Sequence, residues 1–353
     1  MVVEKMKQLK LKELAKLADV SPATVSLVLN NREGVGEEKR EIIKKLLIEN
    51  GYTIAERSSG EREKSIRFLK YTNHSMLVEG NPGFVNSIID AIEKECRRQN
   101  YSLVMTSFKH KQLDEIVELL REDPKDGVLL LGTEIPPEDL RPFAALTTPL
   151  VVVDNPVPFY DFSCVTMENR RTIYTSVSYL KDLGHKRVGF LGNVVPSGNC
   201  KERLNAYQET LKLLGMEYDP ALIYRVDPTA EGACAALDQM LQDGVKFPSA
   251  LVANNDSIAI GAVKAFAAHG IRVPQDISIV SIDNIPFSAM SNPPLTTMDV
   301  SCTDMGIWAV RMLIDKIHYP HAPVSKMQIG TKLLVRDSTA AFDPDNSCPY
   351  VMG

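Results

Sequence analysis

The sequence predicts a small all-α head with a helix-turn-helix, followed by an α/β body built on two parallel sheets. Three observations lead there. Helical segments crowd residues 1–52, β-type and helical stretches alternate from Ser65 onward, and 353 residues are too many for one ordinary core. With 44% hydrophobic and 24% charged residues, the chain has the balance of a folded protein with substantial cores.

In the head, Leu9, Leu11, Leu14, Ala15, Leu17 and Ala18 recur at helical period and predict a helix ending near Asp19 and Val20. Ser21 suits an N-cap, and Pro22 the first helical position, where a missing N–H costs nothing. Val25, Val28 and Leu29 would then face the first helix, with Pro22, Ala23, Ser26, Leu27 and Asn30 outward. A third helix can start after Gly36, with Glu37 and Glu38 at its positive end, and stop at Asn50 and Gly51. Ile42, Ile43, Leu46 and Leu47 would close the core. Such a unit has a second helix narrow enough for the DNA major groove; a helical cap or dimerisation bundle is the alternative on these residues alone. Charge alone decides little. Residues 1–57 hold eleven Lys and Arg against nine Asp and Glu, a balance of +2, while the remainder carries −7.

In the body, SIRFLKY precedes FVNSIIDAIEKECRR, YSLVMTSF precedes LDEIVELLRE, and KRVGFLGN precedes RLNAYQETLKLLG; GVLLLGT, LVVVDNP, ALIYRVD, SALVANN and DISIVSID continue the pattern. Such βα alternation implies parallel sheets covered by helices on both faces, with ligands collecting at the carboxyl ends of the strands. Asp154, Asn193, Asn254, Asn255, Asp256, Asp283 and Asn284 stand at such ends. Carboxylates, amides and an Arg beside an aromatic face suit a hydroxyl-rich small molecule, with a sugar the natural candidate. The alternatives are plain: Asp256 as N-cap of SIAIGAVKAF, Arg203 paired with a neighbouring carboxylate, Phe84 as ordinary core.

Other classes are disfavoured. The six cysteines form no C-x-x-C pair and have no His at metal-ligand spacing, so neither a disulfide framework nor a metal site is expected. No run reaches the roughly 18 apolar residues that span a bilayer, and the Lys-rich start does not read as an export signal, so a cytoplasmic address is expected. The six histidines have no nucleophile-base-orienter wording, and GFLGN is neither a phosphate loop nor a nucleophile elbow; no enzyme activity and no cofactor are expected. An α/β enzyme and a periplasmic-type sugar receptor are the rivals, the second opposed by the helical head.

The stretch LKLKELAKLADVSPATVSLVLNNREGVGEEKREIIKKLLIENGY resembles, without gaps, the head of the lactose-repressor (LacI/GalR) family of bacterial transcription regulators, with the VS-x-x-TVS-x-V-x-N core at Val20, Ser21, Thr24, Val25, Ser26, Val28 and Asn30. GHKRVGFLG, FPSALVANNDSIAIGAVKAFAAHGIRVPQDISIVSIDN, NPPLTTMDV and LLVRDSTA resemble the family's effector domain, itself similar to periplasmic sugar-binding proteins, so the likeness runs from about Lys10 to Ala340. The resemblance implies that Thr24 and Asn30 hold phosphates of a double-stranded operator, with Lys10 and Ser21 also on the DNA side. Pro22, Ala23, Ser26 and Leu27 would meet base edges. These readers lack a bidentate Arg, Gln or Asn, which leaves apolar contact with thymine methyls and a modest preference for T-containing half-sites. By position, Phe84, Asp154, Asn199, Arg203, Asn255 and Asp283 would contact the effector.

The segment after the head departs from the family. Ile54 and Ala55 stand where a Pro-Asn pair is usual, Glu61 where a Leu wedges into the minor groove, and Ser58 to Gly60 reads as linker; weak or absent DNA bending is expected. The implied organisation is a head at 1–52, a linker at 53–64, an effector-binding and dimerisation domain at 65–340 and a tail at 341–353. One subdomain would hold 65–162 and 292–323, the other 163–291 and 324–340, with crossings near 162–166, 290–294 and 323–327. Reading a palindrome implies a homodimer, with FVNSIIDAIEKEC among its contacts, and the tail lacks the apolar heptads of a tetramer bundle.

Overall fold

The computed structural model describes residues 9–30, 34–52, 63–345 and 348–352. Backbone contacts divide the chain into two compact units, Met1–Glu63 and Lys64–Gly353. The expectations at Ile54, Ala55, Ser58 to Gly60 and Glu61 lie outside the described residues.

The first unit has three helices: α1 (Leu11–Leu17), α2 (Pro22–Leu29) and α3 (Glu37–Glu49). Each starts for a local reason. The Lys10 amide donates to the Glu13 carboxylate at 2.7 Å, the Ser21 Oγ accepts from the Thr24 amide at 3.1 Å ahead of Pro22, and two glutamates open α3. Leu14, Ala15, Val25, Val28, Ile43 and Leu47 form the core, and the Tyr52 hydroxyl ties the end of the unit to its start by donating to the Leu9 carbonyl at 2.8 Å. Ile42, expected in the core, is 51% exposed because it falls on the outer face of α3, one position short of Ile43.

The second unit has two lobes. In chain order the N-lobe starts with β1 (Ser65–Thr72), α4 (Pro82–Arg98), β2 (Ser102–Lys109), α5 (Leu113–Glu122), β3 (Gly127–Leu131), β4 (Leu150–Val153) and β5 (Ser163–Met167). The C-lobe follows with α6 (Asn169–Asp182), β6 (Val188–Asn193), α7 (Gly198–Leu213), β7 (Ile223–Val226), α8 (Ala230–Gln242), β8 (Phe247–Pro248), β9 (Ala250–Ala253), α9 (Asp256–Ala268), β10 (Ser278–Asp283), α10 (Pro286–Met290) and β11 (Thr296–Val300). The chain returns through α11 (Cys302–His318) and β12 (Lys326–Ile329), then re-enters the C-lobe at β13 (Thr331–Leu334). The N-lobe sheet runs β12-β5-β4-β3-β1-β2, parallel throughout; the C-lobe sheet runs β13-β11-β10-β9-β6-β7, parallel except for edge strand β13.

Both faces of each sheet are covered, as its near-continuous apolar strands require. In the N-lobe, Leu129 and Leu131 face α4 and α11, while Val128 and Leu130 face α5. In the C-lobe, Val252 and Ile282 face α6 and α7, while Leu251 and Ile279 face α8 and α9. The sheet memberships move the crossings expected at 162–166, 290–294 and 323–327. Strand β5 stays in the N-lobe, β11 in the C-lobe and β12 in the N-lobe, so the chain crosses after Met167, between Val300 and Cys302, and at Gly330. Loop-like composition near residues 162, 292 and 324 marks strand entries, whereas the crossings sit at strand ends. The tail is also part of the fold: β14 (Val351–Met352) pairs with β8, and Tyr350 and Met352 pack on the C-lobe core.

Helices α4 and α11 approach closely because Gly306 has no side chain. A Cβ there would lie 2.7 Å from the Ala91 Cβ and 2.9 Å from the Ile88 carbonyl oxygen. Replacing Gly306 with Val forces these helices apart and is expected to destabilise the second unit by about 1–3 kcal/mol. An unchanged denaturant midpoint would refute the close-packing argument.

Candidate functional site: the interlobe cleft and the second helix of the head

In the head, α2 presents one coherent solvent-facing side. Pro22 and Ala23 are exposed, Ser26 and Leu27 half-exposed, and Val25 and Val28 buried, so the four expected base readers share the solvent side. Ser21 and Thr24 are joined through their hydroxyls at 2.8 Å, and the Asn30 amide donates to the Ser26 carbonyl at 2.9 Å and the Ser26 hydroxyl at 3.3 Å. Those bonds order the ends of the helix, and Ala23 and Leu27 are the apolar side chains of its solvent side. Lys10 is exposed just ahead of α1.

In the cleft the lobes meet through buried carboxylates. Asp154, past the end of β4 with φ +58°, accepts from the Thr133 hydroxyl at 2.7 Å and, across the cleft, from the Asn199 amide at 2.9 Å. Asn199 also donates to the Asp154 carbonyl at 2.9 Å. Asp283, the last residue of β10 with φ +111°, accepts from the Asn81 amide of the N-lobe at 2.8 Å. Arg203, one turn after Asn199 on α7, is buried; its Nε donates to the Asn169 side-chain oxygen at 2.8 Å, its Nη1 to the Asn254 carbonyl at 2.5 Å, and its Nη2 contacts the Met167 sulfur at 2.7 Å. The fork therefore holds the first crossing strand against the C-lobe.

Burial pushes all three neighbouring carboxyls up, but unequally. Asp154 rises to about 6, held back by Thr133, Arg203 and Asn199. Asp256 rises to about 6, held back by donations from Ser281, Thr297 and the Ile285 amide. Asp283 rises to about 8: burial is the largest cause, Arg203 opposes it, and the charges of Asp256 and Asp154 add to it. Asp283 stands highest because the charges of Asp256 and Asp154 add to its burial while, among the described residues, the Asn81 amide is the one side-chain hydrogen-bond donor to it.

Of the six expected ligand residues, Asp154, Asn199, Arg203 and Asp283 come together in this network. Phe84 is buried in the N-lobe core and shares with Asp283 a cavity of about 280 Å³ between α4, β10 and the start of α11. Asn255 stands apart from the network: its side-chain oxygen accepts from the Ile258 amide at 2.8 Å, which makes it the N-cap of α9. That corrects the expectation for Asp256, which is the first helical residue and anchors β10, β11 and the Ile285 amide instead. Missed altogether were Asn81, Thr133, Asn169 and Glu134. Fully buried Glu134 accepts from five backbone amides of the β1–α4 loop, Asn73, His74, Ser75, Leu77 and Val78, at 2.7–3.0 Å. Asn81, just before Pro82, was a findable helix-entry signal, whereas the partner of a lone Glu cannot be read without the loop.

Comparison with known proteins places both units. Residues 10–54 match the model for bacterial regulatory proteins of the lacI family, and residues 177–339 match that for a periplasmic binding protein-like domain. The chain belongs to the LacI/GalR family. The HTH-type transcriptional repressor CytR of Escherichia coli (strain K12) is 28% identical over 94% of this chain and 96% of its own length. The ribose operon repressor of Haemophilus influenzae (strain ATCC 51907 / DSM 11121 / KW20 / Rd) is 27% identical over 93% and 98%. Among solved structures, a transcriptional regulator CelR–cellobiose complex superposes with TM-score 0.68 at 26% identity, covering 94% of this chain and 99% of that one. The lac repressor dimer bound to operator and the anti-inducer ONPF superposes with TM-score 0.73 at 23% identity, covering 95% and 100%, and shares the fold. This LacI/GalR member is thus a DNA-binding transcriptional regulator with an effector-binding α/β domain, and its relatives are regulators rather than enzymes. Among the described residues no helix is long and apolar enough to cross a membrane.

A carboxyl whose folded pKa exceeds its unfolded value binds more protons in the native state, so stability falls as pH rises between the two values. The second unit should therefore lose stability between about pH 4 and about pH 8, by up to about 1.4 kcal/mol per pH unit for each such group. Asp283→Asn keeps the shape, removes the titration and should flatten the pH 6–8 part of the curve. A variant curve parallel to wild type over that range would show that Asp283 is not the group.

Proposed function

We propose that this regulator is a homodimeric repressor controlled by a small hydroxylated effector, a sugar or sugar derivative, held by Asp154, Asn199, Arg203 and Asp283, with Phe84 at the edge and Asn255 contributing through the α9 cap. The observation that carries the reading is the meeting of two carboxylates and two amides from opposite lobes around one buried guanidinium. Carboxylates accept from hydroxyls, amides give and accept, and the fork of Arg203 binds two oxygens at once. The complex of CelR with cellobiose supports a saccharide as the ligand class.

The chemistry required is binding alone. A ligand touching both lobes favours the closed form only by its difference in affinity for closed and open forms, and a tenfold difference corresponds to about 1.4 kcal/mol. Two heads related by a twofold axis read a palindrome, so a change in their spacing changes operator affinity. In each head, Ser21, Thr24, Asn30 and Lys10 meet phosphates, and Pro22, Ala23, Ser26 and Leu27 meet bases with a preference for thymine. A cytoplasmic address and the absence of catalytic turnover belong to the same reading.

Thermal-shift screening of the full-length protein against a carbohydrate library tests it. A binding sugar should raise the unfolding temperature by mass action, and Arg203→Ala or Asp283→Ala should remove most of that rise. Operator affinity should fall steeply with salt as phosphate contacts lose the gain from released counterions. A sugar response that survives both substitutions would move the site elsewhere, and salt-independent DNA binding would remove the head from phosphate contact.

A further inference from the structure

Asp154 with Asn199 and Asp283 with Asn81 are hydrogen-bonded contacts between the lobes, and the N-lobe side of each leads back to one turn, residues 132–135 after β3. Thr133 in that turn donates to Asp154 at 2.7 Å. Its neighbour Glu134 bonds instead to the loop that ends at Asn81. The turn has little freedom. The Asn155 side-chain amide donates to the carbonyls of Gly132 at 2.9 Å and Ile135 at 2.7 Å, and the Gly132 amide donates to the Val153 carbonyl at 3.0 Å. A Cβ on Gly132 would lie 3.0 Å from the Val152 Cγ1 and 3.1 Å from the Asn155 Cβ, so the turn is packed directly on the end of β4.

The loop is residues 73–81, between β1 and α4. One oxygen of Glu134 takes the amides of Asn73, His74 and Ser75, and the other takes those of Leu77 and Val78. Five donors on two oxygens satisfy a buried carboxylate without a cation. They also hold Ser75 at φ +61°, a left-handed conformation that a residue with a side chain keeps only when its surroundings fix it. The far end of the loop is the surface offered to the C-lobe. A Cβ on Gly80 would lie 3.0 Å from the Cγ2 of Thr229, the N-cap of α8, and 2.2 Å from the Met76 carbonyl oxygen. Asn81 donates to Asp283 at 2.8 Å, and a Cβ on Gly83 would lie 3.5 Å from the Pro286 Cδ. The winding of residues 73–78 around Glu134 therefore sets where Gly80, Asn81 and Gly83 meet the other lobe.

We propose that Glu134 is a positioning residue that couples these interlobe contacts, so that Asp154 parts from Asn199 only together with the parting of Asp283 from Asn81. The path runs from Asn199 through Asp154, Thr133 and Glu134 to the loop amides and on to Asn81 and Asp283, and each link is a hydrogen bond or a short stretch of chain. A shift of the turn that follows Asp154 moves Glu134. The five amides move with it, because a carboxylate that left them behind would strand buried donors. Coupling of this kind is a free energy shared by its two ends, so it acts equally in both directions. The lobes thus separate at both contacts at once rather than unzipping from one. The inference concerns the protein without ligand and stands apart from the effector reading.

Hydrogen exchange followed by mass spectrometry on the full-length protein without ligand tests the coupling. Glu134→Gln keeps the size of the side chain but replaces one acceptor oxygen by an NH2 group that cannot receive the loop amides. Exchange should rise over residues 73–78 and also, across the cleft, by about fivefold or more over residues 198–201 in the first turn of α7. Asn81→Ala should raise exchange over residues 198–201 in the wild-type background and add nothing to it in Glu134→Gln. Asn199→Ala should behave in the same way toward residues 73–78. If Glu134→Gln does not fold, Glu134→Asp, which keeps the charge but withdraws it by one methylene, should give the same pattern at smaller amplitude. A purely local role confines the effect of either Glu134 variant to residues 73–83, and that result would overturn the proposal. So would an Asn81→Ala effect on residues 198–201 that is of equal size in both backgrounds, or that is absent from the wild-type one.

Discussion

The cleft depends on buried carboxyl groups that neither lobe satisfies by itself. Asp154 belongs to the N-lobe but takes one of its donors from Asn199 of the C-lobe; Asp283 belongs to the C-lobe but takes its donor from Asn81 of the N-lobe. A carboxylate withdrawn from water costs several kcal/mol unless donors replace the lost hydration. Closing the lobes both creates that cost and supplies part of the compensation. Neutral amides compensate less completely than a cation would, and Arg203 is the single guanidinium shared between them, which is why both groups remain above the ordinary carboxylate range.

Such an arrangement requires rigid supports on each side. On the N-lobe side the support is Glu134, whose two oxygens gather five amides of the β1–α4 loop and so fix the approach to Asn81. On the C-lobe side it is Asp256, whose bonds to Ser281, Thr297 and the Ile285 amide hold the end of β10 where Asp283 turns into positive φ. A non-glycine residue in that region costs of order 1–3 kcal/mol and persists only when its surroundings over-determine it. Both supporting carboxylates are far from their partners in sequence.

That separation explains what could and could not be read beforehand. The head was legible almost residue by residue, because Ser21, Pro22 and the Glu37–Glu38 pair act on amides within one turn, and the error at Ile42 amounts to one helical position. The βα alternation was legible because each strand is buried on both faces and must read as an apolar run. Legibility failed where partners are distant. The cap expected at Asp256 belongs to Asn255, one residue earlier, since either residue type can cap and only the pull of Ser281 and Thr297 on Asp256 decides between them. The crossings were displaced because the ends of β5, β11 and β12 look like loop until their neighbours in the sheet are known. Four of the six expected ligand residues converge, whereas Asn81 and Thr133, which complete the carboxylate shells, carry no sequence signal beyond lying after a strand or before a helix.

The unequal satisfaction of the three carboxyls also bears on where a hydroxylated ligand gains most. Among the described residues, Asp256 has three donors and Asp154 has Thr133 and Asn199, whereas Asp283 has Asn81 alone, and the side-chain oxygen of Asn81 is itself buried without a partner. A hydroxyl placed between Asp283 and Asn81 can donate to the first and accept from the amide of the second, and a second hydroxyl can donate to the unpaired Asn81 side-chain oxygen. The first hydroxyl must displace the amide already there, so at Asp283 its net contribution is the small difference between two donors of similar strength, below the roughly 1 kcal/mol net worth of a typical hydrogen bond. Where Asp283 would otherwise need a proton to remain buried, a donating hydroxyl stabilises the ionised form instead. On the effector reading, ligand occupancy and proton uptake are thus alternative ways of making the same closed state, and the hydroxyl gains its advantage as pH approaches the raised value of Asp283.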